Sequence, residues 1–216
     1  MLKGFGISKT YKYHGFYKRV LDNIDIEIKE KSINLLIGKS GEGKTTLLKI
    51  LARIIKPDSG TIFFNGKKLG FMDGFYRQNT GFIFQDFKLI PYLNVFENIS
   101  LPIKIRGKYN KDWIFSVMEF IGIKDLYKKY PYMLSGGEAQ RVGIARAVAS
   151  GAKIIFADEP TGNLDKDTGK SVINLFKSIK DEFGITLVIV THDDEFRQAS
   201  DFIFELSNSK IRCLNV

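Results

Sequence analysis

An apolar run that leads into a glycine-rich loop constrains the fold of this chain more than any other feature. Residues 33–37 read INLLI, and Gly38 to Thr45 read GKSGEGKT, which matches the pattern G-x-x-x-x-G-K-S/T. Apolar residues then recur at helical spacing from Leu47 to Ile55, and Pro57-Asp58-Ser59-Gly60 ends the pattern. A strand, a glycine loop and a helix in this order are the context in which such a loop holds phosphate groups.

Apolar runs alternate with helical patterns along the chain, and this alternation predicts an α/β fold. The predicted strands are Ile33 to Ile37, Thr61 to Phe64, Gly81 to Phe84, Ile154 to Ala157, Thr186 to Val190 and Phe202 to Leu206. A further amphipathic helix is predicted from Val172 to Ile179, with Gly184 as its stop. Asn65-Gly66 predicts a hairpin, so we expect an antiparallel β piece beside the main sheet, which the N-terminal forty residues are candidates to join.

The segment from about residue 91 to residue 150 is mainly helical in pattern. Ile114, Val117, Met118 and Ile121 have helical spacing, and Gly122 provides a stop. The sequence has no internal repeat, no low-complexity stretch and no long flexible linker. We therefore expect one domain over 1–216, with a core formed by 1–90 and 151–216 and a helical insertion at about 91–150 that packs against it.

Composition narrows the classes of function. The formal net charge is +9, but the lysines are scattered without a long basic run, so no specific nucleic-acid partner is expected; attraction to anionic lipid remains open. Cys213 is the only cysteine, which excludes an intrachain disulfide and a cysteine metal cluster. No apolar stretch approaches the roughly 20 residues that span a bilayer, and the N-terminus lacks a signal-peptide layout, so a cytosolic protein is expected.

The glycine loop predicts a site for ATP. Its backbone N–H groups can close around the β-phosphate, the Lys44 ammonium can reach the β and γ oxygens, and the Thr45 hydroxyl can bind Mg²⁺. The positive end of the following helix dipole also faces the phosphates. Glu42 would repel a polyphosphate unless it points outward, so it is interpreted as solvent-facing. The predicted binding residues here are Gly38, Lys39, Ser40, Gly41, Glu42, Gly43, Lys44, Thr45 and Thr46.

The apolar strand Ile154 to Ala157 ends in two acidic residues, Asp158 and Glu159. In phosphate-loop enzymes a carboxylate in the first position holds Mg²⁺, in this case through water. Glu159 then stands where a carboxylate can act as the general base for the water that attacks the γ-phosphate. The alternative is a strand followed by an acidic helix cap, and the upstream glycine loop favours the catalytic interpretation.

A third motif lies between these two, where residues 134–138 read LSGGE. Ser135 and Glu138 have the spacing of a capping box, which predicts a helix N-terminus. A capping box does not need paired glycines, whereas a helix end that receives a phosphate from outside benefits from exposed backbone N–H groups. The structural and the phosphate-binding interpretations are compatible.

Taken together, these motifs resemble the nucleotide-binding subunit of an ATP-binding cassette (ABC) transporter over essentially the full chain. Leu134 to Arg141, reading LSGGEAQR, matches the family signature almost letter for letter. The resemblance implies an α/β phosphate-loop NTPase core with a mainly parallel sheet, an antiparallel β subdomain and a helical signature subdomain. It also implies ATP and Mg²⁺ as cofactors.

The resemblance assigns further positions by family order. Gln85 corresponds to the Q-loop glutamine, which senses Mg²⁺ and the attacking water, and Asn163-Leu164-Asp165 lies in the D-loop. His192 corresponds to the switch histidine, which contacts the γ-phosphate and keeps Glu159 aligned. The simpler alternatives are that Gln85 is an ordinary loop amide and that His192 is a strand-end residue.

Tyr11 occupies the position of the aromatic residue that stacks on adenine in this family. Tyr13 and Phe16 are rivals for that role, and a packed aromatic side chain is the alternative, since the chain has 18 Phe and 9 Tyr. His14 is interpreted as a surface residue.

The mechanism implied by the resemblance is a head-to-tail homodimer in the ATP-bound state. Ser135 and Gly137 of one subunit close on ATP held by Lys44 of the other, and hydrolysis reopens the dimer. The work is done on a separate integral membrane permease subunit, which places this chain on the inner face of the membrane. Asp86 to Leu93 lies where the family forms the groove for that subunit.

Within the family, the chain resembles the branch of lipoprotein-releasing and macrolide- or peptide-exporting ATPases. The alternative is the bacterial cell-division ATPase, which transmits force to an extracytoplasmic process without transport. A soluble ABC ATPase of DNA repair or translation is disfavoured because a second cassette or a long coiled coil does not fit in this length. Lys31-Ser32 departs from relatives that have glycine before the first core strand.

Overall fold

The computed structural model describes residues 1–13, 15–107 and 109–214, so the prediction for His14 lies outside the described residues. The strands are β1 (Leu2–Tyr13), β2 (Phe16–Ile28), β3 (Ile33–Ile37), β4 (Ser59–Phe64), β5 (Lys67–Lys68), β6 (Thr80–Ile83), β7 (Ile154–Asp158), β8 (Thr186–Val190), β9 (Phe202–Ser207) and β10 (Lys210–Leu214). The helices are α1 (Lys44–Leu51), α2 (Gly74–Gln78), α3 (Val95–Ile105), α4 (Lys111–Ile121), α5 (Gly136–Ala149), α6 (Lys166–Phe183) and α7 (Asp194–Ala199).

The central sheet has the strand order β10-β9-β3-β8-β7-β6. Its pairs are parallel from β9 through β6, and only β10 runs antiparallel, beside β9. The carboxyl ends of β3, β7 and β8 therefore meet at one edge, where ligands bind in open α/β sheets. The predicted α/β fold with a mainly parallel sheet is confirmed.

A second, antiparallel sheet has the order β2-β1-β4-β5. The predicted hairpin at Asn65-Gly66 joins β4 to β5, and both residues have positive φ, 50° and 78°, as such tight turns require. The long β1–β2 hairpin shows that the N-terminal residues do join this sheet.

Side chains of the central strands alternate between two hydrophobic clusters, one on each face of the sheet. Along β7, Ile155 and Ala157 face the cluster that contains the buried sides of α3 to α6, whereas Ile154 and Phe156 face the cluster built with α1 and the antiparallel sheet. This burial on both faces explains why β3, β7 and β8 are continuously apolar rather than alternating.

The segment predicted to be helical contains α3, α4 and α5, with two short 3₁₀ turns before α5. Its buried side chains belong to the same cluster as those of β7 and α6. The Arg141 guanidinium ties α5 to its neighbours, because it donates to Ile121 O at 2.7 Å and to Ser171 Oγ at 2.6 Å. These contacts fix the direction in which the N-terminus of α5 points.

Two local departures from the sequence pattern have backbone causes. The helix α1 ends at Leu51, although the apolar stripe continues to Ile55, because Arg53 adopts a left-handed conformation with φ of 57°. Lys31, in the turn before β3, also has a positive φ of 50°. The turn before β3 therefore has the conformation that glycine favours.

Candidate functional site

The glycine loop connects the carboxyl end of β3 to α1. Gly43 precedes the helix with φ of 100°, and a Cβ added there would lie 2.9 Å from the Val20 carbonyl oxygen. Both the backbone conformation and the close approach of β2 therefore require glycine. The N-terminus of α1 has no side-chain cap, so its N–H groups remain available to an anion.

The Lys44 side chain folds back over this loop. Its Nζ donates to Gly38 O at 2.7 Å and to Lys39 O at 2.9 Å, and it lies 3.3 Å from His192 Nε2. Burial lowers the pKa of the Lys44 ammonium, while the charges of Glu159, Glu42 and Asp158 oppose that change. The ammonium is thus held among acceptors at the centre of the loop.

A hydroxyl and a carboxylate meet where α1 passes β7. The Thr45 hydroxyl donates to Asp158 Oδ1 at 2.7 Å, and Lys49 Nζ lies 3.8 Å from Asp158 Oδ2. Asp158 is buried at the end of β7. The structure therefore brings together the two oxygen ligands that the sequence predicted.

Glu159 has an unusual backbone and a defined partner. Its φ is 47°, and the conformation is held by hydrogen bonds from Glu159 N to Val190 O at 2.8 Å and from Gly162 N to Glu159 O at 3.1 Å. A non-glycine residue in this region is strained and is commonly found at functional sites. The carboxylate accepts from His192 N at 3.3 Å and lies 3.4 Å from His192 Nε2.

These groups surround a cavity of about 720 Å³, which we name the loop cavity. Its lining is Tyr11, Val20, Ser40, Gly41, Gly43, Lys44, Thr45, Thr46, Gln85, Glu159, Gly162 and His192. Residues from the glycine loop, the end of β7 and the end of β8 therefore converge, as predicted. The predicted residues Gly38, Lys39 and Glu42 belong to the same loop but are not part of this lining. Asp158 does not line the cavity either, but it accepts a hydrogen bond from Thr45, which does.

The Glu42 side chain departs in part from expectation. It is half-buried, and its Oε2 accepts from the backbone N–H of Lys39 at 3.1 Å. The carboxylate is turned away from the loop cavity, as predicted, but it is only partly exposed and one of its oxygens is bound by the loop. Because the loop curls back on itself, a backbone donor lies within reach of this acid, which the sequence pattern alone does not reveal.

Tyr11 lies on the wall of the loop cavity and is 42% exposed, and Lys9 Nζ lies over its ring, 5.6 Å from the centroid. Phe16, one of the rivals, is 81% exposed and does not line the cavity, and the side chain of the other, Tyr13, lies outside the described part of the chain. The roles of these rings remain predictions.

Three neighbours of the site were not anticipated. Val20 and Gly162 line the loop cavity, and Lys18, which lies directly opposite Tyr11 in the β1–β2 register, donates from Nζ to Gly41 O at 3.4 Å. The pairing of β1 with β2 was the only signal that could have found Lys18, and its register cannot be read from the sequence.

Ser135 and Gly137 lie in a different cavity, of about 710 Å³, which we name the signature cavity. Ser135 caps α5 through a complete capping box, because its Oγ accepts from Glu138 N at 3.2 Å and Glu138 Oε2 accepts from Ser135 N at 2.7 Å. The Ser135 N–H and Lys129 hold the pKa of the Glu138 carboxyl below its usual value. A Cβ at Gly137 would lie 2.6 Å from Thr168 Cγ2, so a larger residue here would displace the Thr168 side chain.

Hydrogen bonds link the loops around both cavities. Asn163 Nδ2 donates to Gln85 O at 3.1 Å, and Thr161 Oγ1 donates to Asp193 Oδ2 at 3.1 Å. The segment after β6 is also tied to α5, because the Arg146 guanidinium donates to Phe87 O and Lys88 O at 2.8 and 2.7 Å. The loop that carries Gln85 is thus connected to the same helix whose N-terminus opens on the signature cavity.

Two features are absent from the described residues. No group of three or more His, Cys, Asp and Glu side chains there is arranged to hold a metal ion. Over the same residues, no helix has both the length and the apolar character needed to cross a membrane.

Comparisons with known proteins agree with this geometry. The ABC transporter family profile matches residues 21–162. An uncharacterized ABC transporter ATP-binding protein of Methanocaldococcus jannaschii is 41% identical, with 98% of this chain and 97% of the relative covered. The lipoprotein-releasing system ATP-binding protein LolD of Buchnera aphidicola is 36% identical, with 98% and 96% covered.

A solved structure is similar over the whole fold. It is a dimeric ATP-binding cassette in a post-hydrolysis state, bound to ADP and Pi, with a TM-score of 0.88, 33% identity and coverage of 100% of this chain and 98% of that one. The resemblance inferred from the motifs is confirmed. This chain belongs to the ABC transporter family, as an ATP-binding subunit of the branch that includes the lipoprotein-releasing ATPases.

Proposed function

We propose that this chain is the ATP-hydrolysing subunit of a complex that exports or extracts a substrate through a separate integral membrane subunit. The observation that carries the proposal is the convergence of Lys44, Glu159 and His192 on the loop cavity. His192 Nε2 lies 3.3 Å from Lys44 Nζ and 3.4 Å from Glu159 Oε1. A cation that can hold phosphate and a carboxylate that can activate water, around one cavity of about 720 Å³, are suited to phosphoryl transfer from a nucleotide to water.

In the proposed reaction, the glycine loop and Lys44 hold the triphosphate of ATP, and Tyr11 contacts the adenine. The Glu159 carboxylate accepts a proton from water, and the water oxygen forms a bond to the γ-phosphorus as the bond from that phosphorus to the β–γ bridging oxygen breaks. The products are ADP and phosphate. His192 keeps Glu159 in place, since its backbone N–H donates to that carboxylate, and Gln85 positions the water.

The residues at the end of β7 fit Mg²⁺. A hydroxyl and a carboxylate that already lie 2.7 Å apart offer oxygen ligands, and Mg²⁺ at a nucleotide needs only one or two from the protein because phosphate and water supply the others. Thr45 and Asp158 would hold the ion, with Gln85 nearby. Bound Mg²⁺ would neutralise charge that develops on the β- and γ-phosphates.

A homodimer completes the proposed site. The loop cavity contains the groups that would hold ATP and activate water, but Ser135 and Gly137 line the signature cavity instead. The solved relative bound to ADP and Pi is dimeric, and this supports an arrangement in which the signature cavity of one subunit closes on ATP in the loop cavity of the other. ATP then acts as the contact between subunits.

The proposed membrane subunit docks beside the loop that carries Gln85, on the inner face of the membrane. Within Asp86 to Leu93, Leu89 packs against the core, but Ile90 is 38% and Tyr92 is 87% exposed. Large exposed apolar side chains next to a polar loop are explained by a contact surface. The lipoprotein-releasing relatives support extraction of a membrane-bound substrate as the work that is done.

Substitution of the proposed base tests the hydrolytic function. Glu159→Gln should lower phosphate release at least about 100-fold, because a general base contributes that much or more, while binding of a fluorescent ATP analogue is retained. Glu195→Gln is a matched control, since Glu195 pairs with Lys170 away from the cavity, and should leave turnover unchanged. Unchanged turnover in Glu159→Gln would contradict the assignment.

The membrane function needs a separate test. Tagged Glu159→Gln protein would be trapped with ATP in cells, extracted with a mild detergent and analysed by mass spectrometry for copurifying proteins. We expect a membrane subunit with few spans and a large extracytoplasmic domain. A many-spanned importer-like partner, a partner complex of cell-wall enzymes, or soluble partners alone would contradict the export or extraction function.

A further inference from the structure

A buried amide in α5 has no hydrogen-bond partner. Gln140 is fully buried, and neither its Nε2 nor its Oε1 is hydrogen-bonded to any part of the chain that the structure describes. By contrast, the buried amides of Asn34 and Asn98 are paired at both atoms: each oxygen accepts from a backbone N–H, and each Nδ2 has three or four acceptors within hydrogen-bond distance. An unpaired buried amide weakens the fold, so its presence in a well-packed helix calls for a physical explanation.

Gln140 lies on the face of α5 that approaches the two loops of the site. Gly136, Gln140, Gly143 and Ala147 follow one another at helical spacing and share a face. A Cβ at Gly136 would lie 3.9 Å from Asn163 O, one at Gly143 would lie 3.8 Å from Phe87 O, and a Cβ at Gly81 on β6 would lie 3.1 Å from Ala147 Cβ. Small residues let this face approach the loops closely, and Gln140 is the polar side chain among them.

The loop on that face is held in a strained conformation. Phe87 and Lys88 both have left-handed backbone conformations, with φ of 58° and 46°. Their carbonyl oxygens accept from Arg146, two turns after Gln140 on the same helix. A strained segment whose carbonyl oxygens are held by a side chain of α5 is suited to two arrangements, because release of strain offsets the loss of those contacts.

We propose that Gln140 is a positioning residue for the loop that carries Gln85. Its amide is unpaired in the state described, and it donates to the Phe87 carbonyl oxygen when ATP draws Gln85 toward the γ-phosphate. That carbonyl faces α5 one turn from Gln140, and a carbonyl oxygen accepts two hydrogen bonds, so Arg146 does not have to leave.

The consequence is a link between two sites on one chain. The N-terminus of α5 carries Ser135, and the loop carries Gln85, so a hydrogen bond that forms only with ATP couples the orientation of the signature cavity to occupation of the loop cavity. Such coupling requires that a group interact differently in the ATP-free and ATP-bound states. The Gln140 amide meets this requirement, because it is unpaired in the first and hydrogen-bonded in the second. This inference rests on the proposed ATP-driven function.

The test uses Gln140→Met, which keeps the length of the side chain and removes its hydrogen bonding. Met118→Leu, a volume-conserving change at a fully buried position of α4, is the control. Thermal unfolding, phosphate release and binding of fluorescent ATP and ADP analogues are measured for each protein. We expect Gln140→Met to unfold a few degrees higher, because the unpaired amide is gone. It should also lose about fivefold in kcat and in affinity for the ATP analogue, with affinity for ADP unchanged, because the hydrogen bond forms only when ATP is bound.

Two results would overturn the inference. A higher melting temperature with unchanged kcat would mean that the amide is only a poorly paired core group, and a lower melting temperature or failure to fold would mean that it is already paired before ATP binds. Absence of phosphate release in the unmodified chain would instead contradict the proposed function itself, so the two failures are distinguishable.

A spectroscopic measurement avoids dependence on variant stability. In ¹⁵N-labelled protein that carries Glu159→Gln, the Gln140 side-chain amide signals are identified by their loss in Gln140→Met. We expect ATP to shift them downfield and to slow their exchange with solvent. Signals that do not move with ATP, while those of the glycine loop do, would contradict the role of Gln140.

Discussion

The loop cavity and the signature cavity are nearly equal in volume, about 720 and 710 Å³, yet they are built differently. In the loop cavity His192 Nε2 lies 3.3 Å from the Lys44 ammonium and 3.4 Å from the Glu159 carboxylate, and the helix that begins there is uncapped. In the signature cavity the helix N-terminus is already closed by its own capping box. The loop cavity has charged groups and free backbone N–H groups that a bound ligand would satisfy. In the signature cavity, the chain itself already satisfies donors at the helix N-terminus.

This difference shows how a site can be divided between two copies of one chain. A helix N-terminus that stays without its ligand until the dimer closes needs partners for its backbone N–H groups, and Ser135 and Glu138 provide them. A surface that binds first keeps its donors free. The contrast therefore agrees with ATP entering the loop cavity before the signature cavity of a partner subunit closes over it.

Lys44→Met should have the largest effect, and it acts on the loop cavity alone. Loss of the buried ammonium removes a charge-assisted contact to phosphate, and we expect the affinity for a fluorescent ATP analogue to fall by about 100-fold. Lys56→Met, at an exposed lysine after α1, is the control. Retained affinity in Lys44→Met would show that the loop cavity is not where the nucleotide binds.

Ser135→Asn should have the next largest effect, and it distinguishes the role of the signature cavity from that of the loop cavity. Asparagine caps a helix as well as serine does, so stability should be unchanged, whereas Ser135→Ala should lose about 1 kcal/mol. In the Glu159→Gln background, both changes should abolish the ATP-dependent dimer seen by sedimentation and leave analogue binding to the single chain unaffected. A dimer that persists in Ser135→Asn would contradict a role of this hydroxyl in closing the site.

Glu138→Gln should have a smaller effect that appears only in acid. The folded protein lowers the pKa of Glu138 below its usual 4.5, so this carboxylate contributes stability that is fully present above that pH and is lost as the pH falls through the lowered pKa. Glutamine keeps the cap but does not titrate. We expect the variant to lose less stability than the wild type between pH 7 and 3, measured by urea unfolding. An equal loss would mean that the capping box does not contribute to acid sensitivity.

Lys31→Gly should have the smallest effect and should alter neither cavity. The left-handed backbone at Lys31 costs a non-glycine residue about 1 kcal/mol, and part of that should be recovered as a higher melting temperature. The backbone N–H that donates to Thr186 Oγ1 is kept in glycine. Analogue binding should not change, and a lower melting temperature would contradict the assignment of strain to this turn.

Much of the fold follows from the sequence because its signals are local. Short stretches of sequence are enough to predict the strand Ile33 to Ile37, the glycine loop and the hairpin at Asn65-Gly66. Each is found where it was predicted. The end of α1 was not predictable, since the apolar stripe continues to Ile55 while the backbone turns at Arg53. Periodicity reports which side chains are buried, not which hydrogen bonds end a helix.

The site was predictable to the extent that its motifs lie at strand ends. The carboxyl ends of parallel strands meet, so Lys44, Asp158, Glu159 and His192 were expected to converge. The position of Glu42 depends on how the loop curls, and that of Lys18 on the register of β1 with β2. The unpaired amide of Gln140 depends on what surrounds α5 on all sides, which no sequence pattern specifies.

The central claim, that each ATP site is shared between two subunits, is tested most directly by mixing two inactive variants. Lys44→Met and Ser135→Asn each damage both sites of their own homodimer, but a mixed head-to-tail dimer has one intact site and one doubly damaged site. In an equal mixture, half of the dimers are mixed when the chains pair at random and all of them are mixed when neither homodimer forms. Each mixed dimer has one of two sites intact, so we predict recovery of about a quarter to a half of wild-type phosphate release. Activity no higher than the mean of the two variants measured alone would contradict the shared site.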